Sequence, residues 1–123
     1  MLSEQQVSSI ISDIAADLPG FIGASLVDLD SGMTLGLYAK DQSFDLSAAS
    51  AFNSELVKQK QKVMASLGLD MELEDMILTL TDQIHMIKLV TPSTFIYLAA
   101  DRPSTNLAIV RNAVGKHAAA LAA

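Results

Sequence analysis

Three strand-length apolar runs, Leu73–Leu80, Ile84–Val90 and Thr94–Ala100, constrain the fold of this chain more than any other feature. Only Thr81-Asp82-Gln83 and the turn around Pro92 separate them. Links that short join strands antiparallel, because a parallel crossover needs a dozen or more residues. A three-stranded meander therefore fills most of the second half. It carries almost no side chain suited to covalent or acid–base chemistry, which directs attention to binding.

Upstream the hydrophobic period changes. Val7, Ile10, Ile11, Ile14 and Leu18 recur at helical spacing, and Ser3 with Gln6 resembles a capping box, so a helix is predicted over about 4–17. Pro19-Gly20 stops it. Phe21–Leu29 and Met33–Ala39 then read as a hairpin around Asp30-Ser31-Gly32. A long second helix follows from Leu46 to about Leu67, with Asp45 as its cap and Gly68 as its stop. Ala49, Phe52, Leu56, Val63 and Leu67 form its apolar stripe, with Lys60 in the same register and snorkelling; Asn53, Lys58, Gln61 and Lys62 form its wet side. After the meander, Asp101 and Ser104 are candidate caps for a third helix. Its apolar positions include Leu107, Val110, Val114 and Leu121, and its alanine-rich end over 118–123 is expected to fray.

The order helix, hairpin, helix, meander, helix predicts an α+β sandwich. If the long helix carries the chain across the sheet, five antiparallel strands form one layer. Those strands are apolar on both faces: Ile22, Ala24 and Leu26 alternate with Gly23, Ser25 and Val27, and Ile84, Met86 and Val90 with Ile87 and Leu89. A sheet of this kind needs cover on two sides. The long helix is expected on one face and the terminal helices on the other.

At 123 residues the chain is expected to be a single domain over 1–123, large enough to bury a core without staples. It has no cysteine, no signal-peptide pattern at its start and no apolar run approaching the roughly 20 residues of a membrane span. A cytoplasmic location without membrane insertion is the expectation. Net charge is −6 and aromatics are 5% with no Trp, which disfavours nucleic acid as a partner on both electrostatic and stacking grounds. Half the residues are hydrophobic and only 18% charged, lean for the surface of a small monomer. Some apolar surface is therefore expected to meet another subunit.

Residues with chemical potential have simpler structural uses. Asp28 and Asp30 suit a hairpin turn better than a cation site. His85 stands without a nucleophile of recognisable signature, and His117 sits near a helix carboxyl end that favours positive charge. Neither histidine belongs to a metal-spaced pair, and no phosphate-binding glycine loop is present, since Gly115-Lys116 lies inside a helix. No catalytic residue, metal or cofactor is expected. The methionines at 33, 64, 71, 76 and 86 suit either core or an adaptable contact surface.

Gly23-Ala24-Ser25-Leu26-Val27-Asp28-Leu29-Asp30-Ser31-Gly32, the long helix, Thr81–Lys88, Phe95-Ile96-Tyr97-Leu98, Ala99-Ala100-Asp101-Arg102 and Asn106-Leu107-Ala108 together resemble the Roadblock/dynein light chain family and its bacterial relatives. The resemblance spans nearly the whole chain and rests on order and spacing. It implies a profilin-like αββαβββα fold. It also implies a homodimer joined edge to edge through its sheets, and a non-catalytic adaptor or regulator, often of a small Ras-like GTPase.

The residues independently favour such a dimer. With the last meander strand beside the first hairpin, Leu73–Leu80 lies at a sheet edge, and only Glu74 and Asp75 guard it. Phe52, Leu56 and Val63 of the long helix with Met76, Ile77, Leu78, Thr79 and Leu80 are the expected dimer interface. Asn53, Lys58, Gln61 and Lys62 are the candidate partner-docking residues. Arg102 and Arg111 are the only arginines available as an arginine finger, and both are expected to serve structure near the third helix. The alternative is a small-molecule sensor or enzyme with a pocket between sheet and long helix, lined by Ser25, Asp28, Asp30 or His85.

Overall fold

The computed structural model describes residues 2–122. Helix α1 (Glu4–Ala16) opens on the expected capping box: the Ser3 hydroxyl accepts from the Gln6 amide, and the Gln6 side chain accepts from the Ser3 amide. Strands β1 (Phe21–Asp28) and β2 (Thr34–Ala39) form the hairpin. In its turn the Asp28 carboxylate accepts from the Ser31 amide and hydroxyl, and Gly32 adopts φ +74. Helix α2 (Leu46–Ser66) is capped by the Asp45 carboxylate on the Ala48 amide and stopped by Gly68 at φ +71. Strands β3 (Asp75–Thr79), β4 (Gln83–Thr91) and β5 (Thr94–Asp101) form the meander. β3 is shorter than the apolar run because Leu80 already belongs to the turn, its amide bonded to the Gln83 carbonyl.

Two details differ from the sequence reading. Asp101 and Ser104 do not cap the third helix; they bond each other at 2.6 Å and brace a 3-10 turn over Arg102–Ser104. Pro103, which lacks an N–H, suits that first tight turn. Helix α3 (Leu107–Leu121) begins one step later, capped by Asn106 on the Ile109 amide. The other difference is at Ile22. Phe21 lies opposite Ala100 and Gly23 opposite Ala99, so Ile22 is an extra residue in the ladder. That bulge turns Ile22 to the face opposite Ala24 and Leu26.

The sheet is antiparallel in the order β2-β1-β5-β4-β3, with α2 on one face and α1 and α3 on the other. The larger core cluster lies under the terminal helices, where Ile11, Ile14, Val110 and Val114 meet Leu26, Met86, Ile96 and Leu98. Each fully buried side chain of this kind contributes about 1.5–3 kcal/mol. The end of α3 is held by this cluster too, since Leu121 is buried in it. The smaller cluster, under α2, contains Val27, Leu46, Val57, Ile87, Phe95 and Tyr97. α2 seats mainly on β1 and β2; on the same face Ile87 of β4 is still fully buried, whereas Met76 and Leu78 of the outermost strand β3 are only half-buried.

Candidate functional site

The face that α2 turns to the sheet is half polar. Its buried residues are Leu46, Ser50, Ser54 and Val57. The Ser50 hydroxyl donates to the Leu46 carbonyl at 2.8 Å, so it receives from Thr34 and Ser25, each at 2.9 Å. The Ser54 hydroxyl donates to the Leu29 carbonyl at 2.6 Å. Small serines let the helix approach closely, and the hydrogen bonds remove the penalty of burying their hydroxyls.

The apolar stripe consequently points away from the sheet beneath the helix. Phe52 is 75% exposed, and Leu56, Val63 and Leu67 are exposed with it, whereas Ala49 packs against the small core. At about 100° per residue these exposed residues lie on the flank away from Lys58 and Lys62. The Lys58 flank faces the β1–β2 turn: its ammonium donates to the Asp30 carbonyl at 2.9 Å, and Ala51 abuts Gly32. The stripe is therefore on the side of β4 and β3. Lys60, in its register, is exposed and covers no core.

The four proposed docking residues do not share one face. Lys58 and Lys62 lie on the hairpin flank, and Gln61 points beneath the helix into a hollow described below. Asn53 is half-buried on the stripe side, its amide donating to the Ala49 carbonyl at 2.8 Å. A wet side drawn from residue type had merged two flanks and the underside.

At the edge of the sheet, β3 pairs with β4 alone among the described residues. Met76 and Leu78 project to the α2 side, Ile77 to the side of α1 and α3, and Thr79 and Leu80 are exposed. Two arginines pin the ends of this strand: Arg111 pairs with Asp75 at 2.9 Å, and Arg102 donates to the Leu80 carbonyl at 3.0 Å. The opposite edge is blunted. β2 contains a bulge at Leu35, lies against α1 through Gly36 and Val7, and has its Leu37 carbonyl bonded by the Ser8 hydroxyl. The two edges thus differ in the way that matters for strand addition.

Solved structures share this arrangement. A gliding protein mglB from Thermus thermophilus superposes with TM-score 0.83 at 14% identity, covering 99% of this chain and 90% of that one. A Roadblock/LC7 domain from Streptomyces avermitilis gives 0.82 at 14% identity, covering 93% and 92%. The fold is that of a Roadblock/LC7 domain. A structure titled "MglB with tetrameric arrangement" superposes on this Roadblock fold with TM-score 0.85 at 14% identity, covering 99% and 89%. No family model and no curated protein matches the sequence.

Within the Roadblock fold the chemistry-bearing side chains are dispersed. His85 Nε2 lies 2.7 Å from the Gln83 amide oxygen, which only accepts, so Nε2 carries the proton and Nδ1 accepts from the Tyr97 hydroxyl at 3.1 Å. Burial holds His85 below its ordinary value of 6.5 and pushes Tyr97 up to about 12. Asp28 is held below its ordinary value by the Ser31 side-chain and backbone bonds. His117 and Lys116 bond Asp17 at 2.9 and 3.1 Å, tying the end of α1 to α3. Among the described residues no cluster of three or more metal-ligating side chains occurs, and no helix is long and apolar enough to cross a membrane.

The pocket imagined for a sensor or enzyme has a different lining from the one expected. One hollow, about 600 Å³, lies beneath the last turns of α2, bounded by the chain over 69–74 and the β4–β5 turn at Pro92. A smaller one of about 410 Å³ lies at the start of α2. Ser25, Asp28, Asp30 and His85 line neither. Ser25 is fully buried in the serine cluster, which explains its exclusion.

Proposed function

We propose that this chain, a single domain over 1–123, is a non-catalytic homodimeric adaptor that binds a protein partner and biases the partner's conformation. One observation carries the reading: the exposed Phe52, Leu56, Val63 flank of α2 stands on the side of the open β3 edge, whose Met76 and Leu78 are only half-buried. A second copy related by a twofold axis supplies a strand for the edge and a helix for the flank, covering both with one self-complementary contact through Phe52, Leu56, Val63 and Met76–Leu80. The blunted β2 edge explains why the contact forms on this side only. Likeness to MglB structures, one of them tetrameric by its title, supports an assembling role.

The partner we propose is a small Ras-like GTPase, following the family resemblance, with its switch state modulated by docking. Asn53, Lys58, Gln61 and Lys62 remain docking candidates, acting from two flanks and the underside of α2 rather than from one face. The arginines fit a non-catalytic role. Both are engaged at the ends of β3, whereas an arginine finger must reach a transferring phosphate.

Light scattering on the wild type and on Leu78→Lys tests the core of the reading. The wild type is expected at twice the chain mass and the variant at the mass of one chain, with unchanged circular dichroism. A wild type at single-chain mass overturns the homodimer.

A further inference from the structure

We infer that the hollow beneath the end of α2 is a docking groove for a basic, amphipathic peptide segment of a partner protein; this rests on the adaptor reading and specifies the chemistry of what the adaptor holds. Three observations converge on it. The first is position. Ser54 anchors α2 to Leu29 at the end of β1 and Val57 is the last buried residue of the helix, so the turns beyond Val57 overhang the sheet and leave about 600 Å³ open, within the range of roughly 300–1,000 Å³ typical of ligand sites.

The second is the lining. Met64, Met71, Leu73 and Leu89 give an apolar floor with two unbranched, adaptable thioethers. Met71 is 66% exposed, far more than a core methionine such as Met86 at 1%. Methionine surfaces of this sort accommodate varied apolar side chains.

The third is charge, which selects the occupant. Glu72 and Glu74 line the rim, both are exposed, and neither forms an ion pair among the described residues. Among the described residues Lys88 is the one cation in the lining, against these two glutamates, and it pairs with neither. Lys88 alternates with Ile87 of the α2-side core, placing its side chain on the opposite face with Met86. Asp75, which shares that opposite face, is already paired with Arg111. An apolar floor with an acidic rim complements a segment that presents leucine-like side chains on one side and Lys or Arg beside them.

The test uses the full chain labelled at its methionine methyls, with a short Leu/Lys amphipathic peptide as probe and a Leu/Glu peptide as control. The Met64 and Met71 resonances are expected to shift saturably with Leu/Lys, while Met33 on the hairpin stays fixed and Leu/Glu has no effect. Glu72→Lys/Glu74→Lys, at exposed positions that leave folding intact, is expected to weaken binding about tenfold. Equal shifts at Met33, or unchanged affinity in the double variant, overturn the proposal. So do Met64 and Met71 signals that respond to protein concentration but not to peptide, which assign the groove to a second copy. Light scattering on the same samples reports the adaptor's assembly separately: a monomer that still binds peptide refutes the dimer, and a dimer that ignores peptide refutes the groove.

Discussion

At the residue scale, hydrogen bonds decide what the polar side chains are for. Ser54 is 1% exposed and satisfies the Leu29 carbonyl. Ser54→Ala leaves that carbonyl without its partner, and is expected to lower stability by about 1–3 kcal/mol in urea unfolding. The titrating residues set the pH profile. Asp28 has a folded value below 3.8, so its contribution is present above 3.8 and disappears as pH falls through the lower folded value. His85 has a folded value below 6.5; the unfolded chain takes up a proton that the folded chain refuses, so stability declines as pH drops below 6.5. His85→Gln is expected to remove the decline that starts near 6.5 and to retain the more acidic one, measured as the urea midpoint against pH. An unchanged profile would refute the assignment. The hairpin role of Asp28 was legible in the residues because Asp-x-x-Ser turns bond locally. The serine cluster was not, since a helical serine looks alike whether it faces water or a carbonyl.

At the element scale, α2 shows how a hydrophobic pattern misleads when two surfaces compete for one helix. Its period predicted the helix, its cap and its stop correctly. The stripe through Phe52, Leu56 and Val63 was the more apolar face, yet the sheet holds the face with Leu46, Ser50, Ser54 and Val57. Leu46→Ala is expected to destabilise the fold by about 2–5 kcal/mol, because it opens a cavity in the small core. Phe52→Gln should instead leave helicity intact and reduce self-association. Circular dichroism with sedimentation separates these effects, and a collapse of helicity in Phe52→Gln would mean that the stripe supports the monomer. On the other face α1 depends on Gly36, where an added Cβ would lie 2.6 Å from Val7. Gly36→Ala is expected to lift α1 from β2 and lower the thermal midpoint, by the overpacking penalty of about 1–3 kcal/mol.

For the whole molecule, the uneven distribution of core is the governing fact. The terminal helices cover their face of the sheet well, whereas α2 covers mainly β1 and β2 and leaves β3 at the far edge half-covered. Such a surface is stabilised by association, so the urea midpoint is expected to rise with protein concentration. A midpoint independent of concentration would show that folding is complete without a second chain. Leu78→Lys should abolish the dependence along with the proposed dimer.

The sequence by itself determined the order of elements, the antiparallel meander, most caps and stops, and the exposed strand edge, because these follow from short-range spacing, turn residues and link lengths. The tertiary structure alone decided which face of α2 meets the sheet, that Ile22 bulges to the other side, that Asn106 rather than Asp101 or Ser104 starts α3, and that the hollow forms under the helix end. Those outcomes depend on residues far apart in the chain being brought together: Ser50 with Ser25 and Thr34, Ser54 with Leu29, and Gln61 with Pro92 around one hollow. Local periodicity identifies an apolar side; only packing in three dimensions assigns it to the core or to a partner.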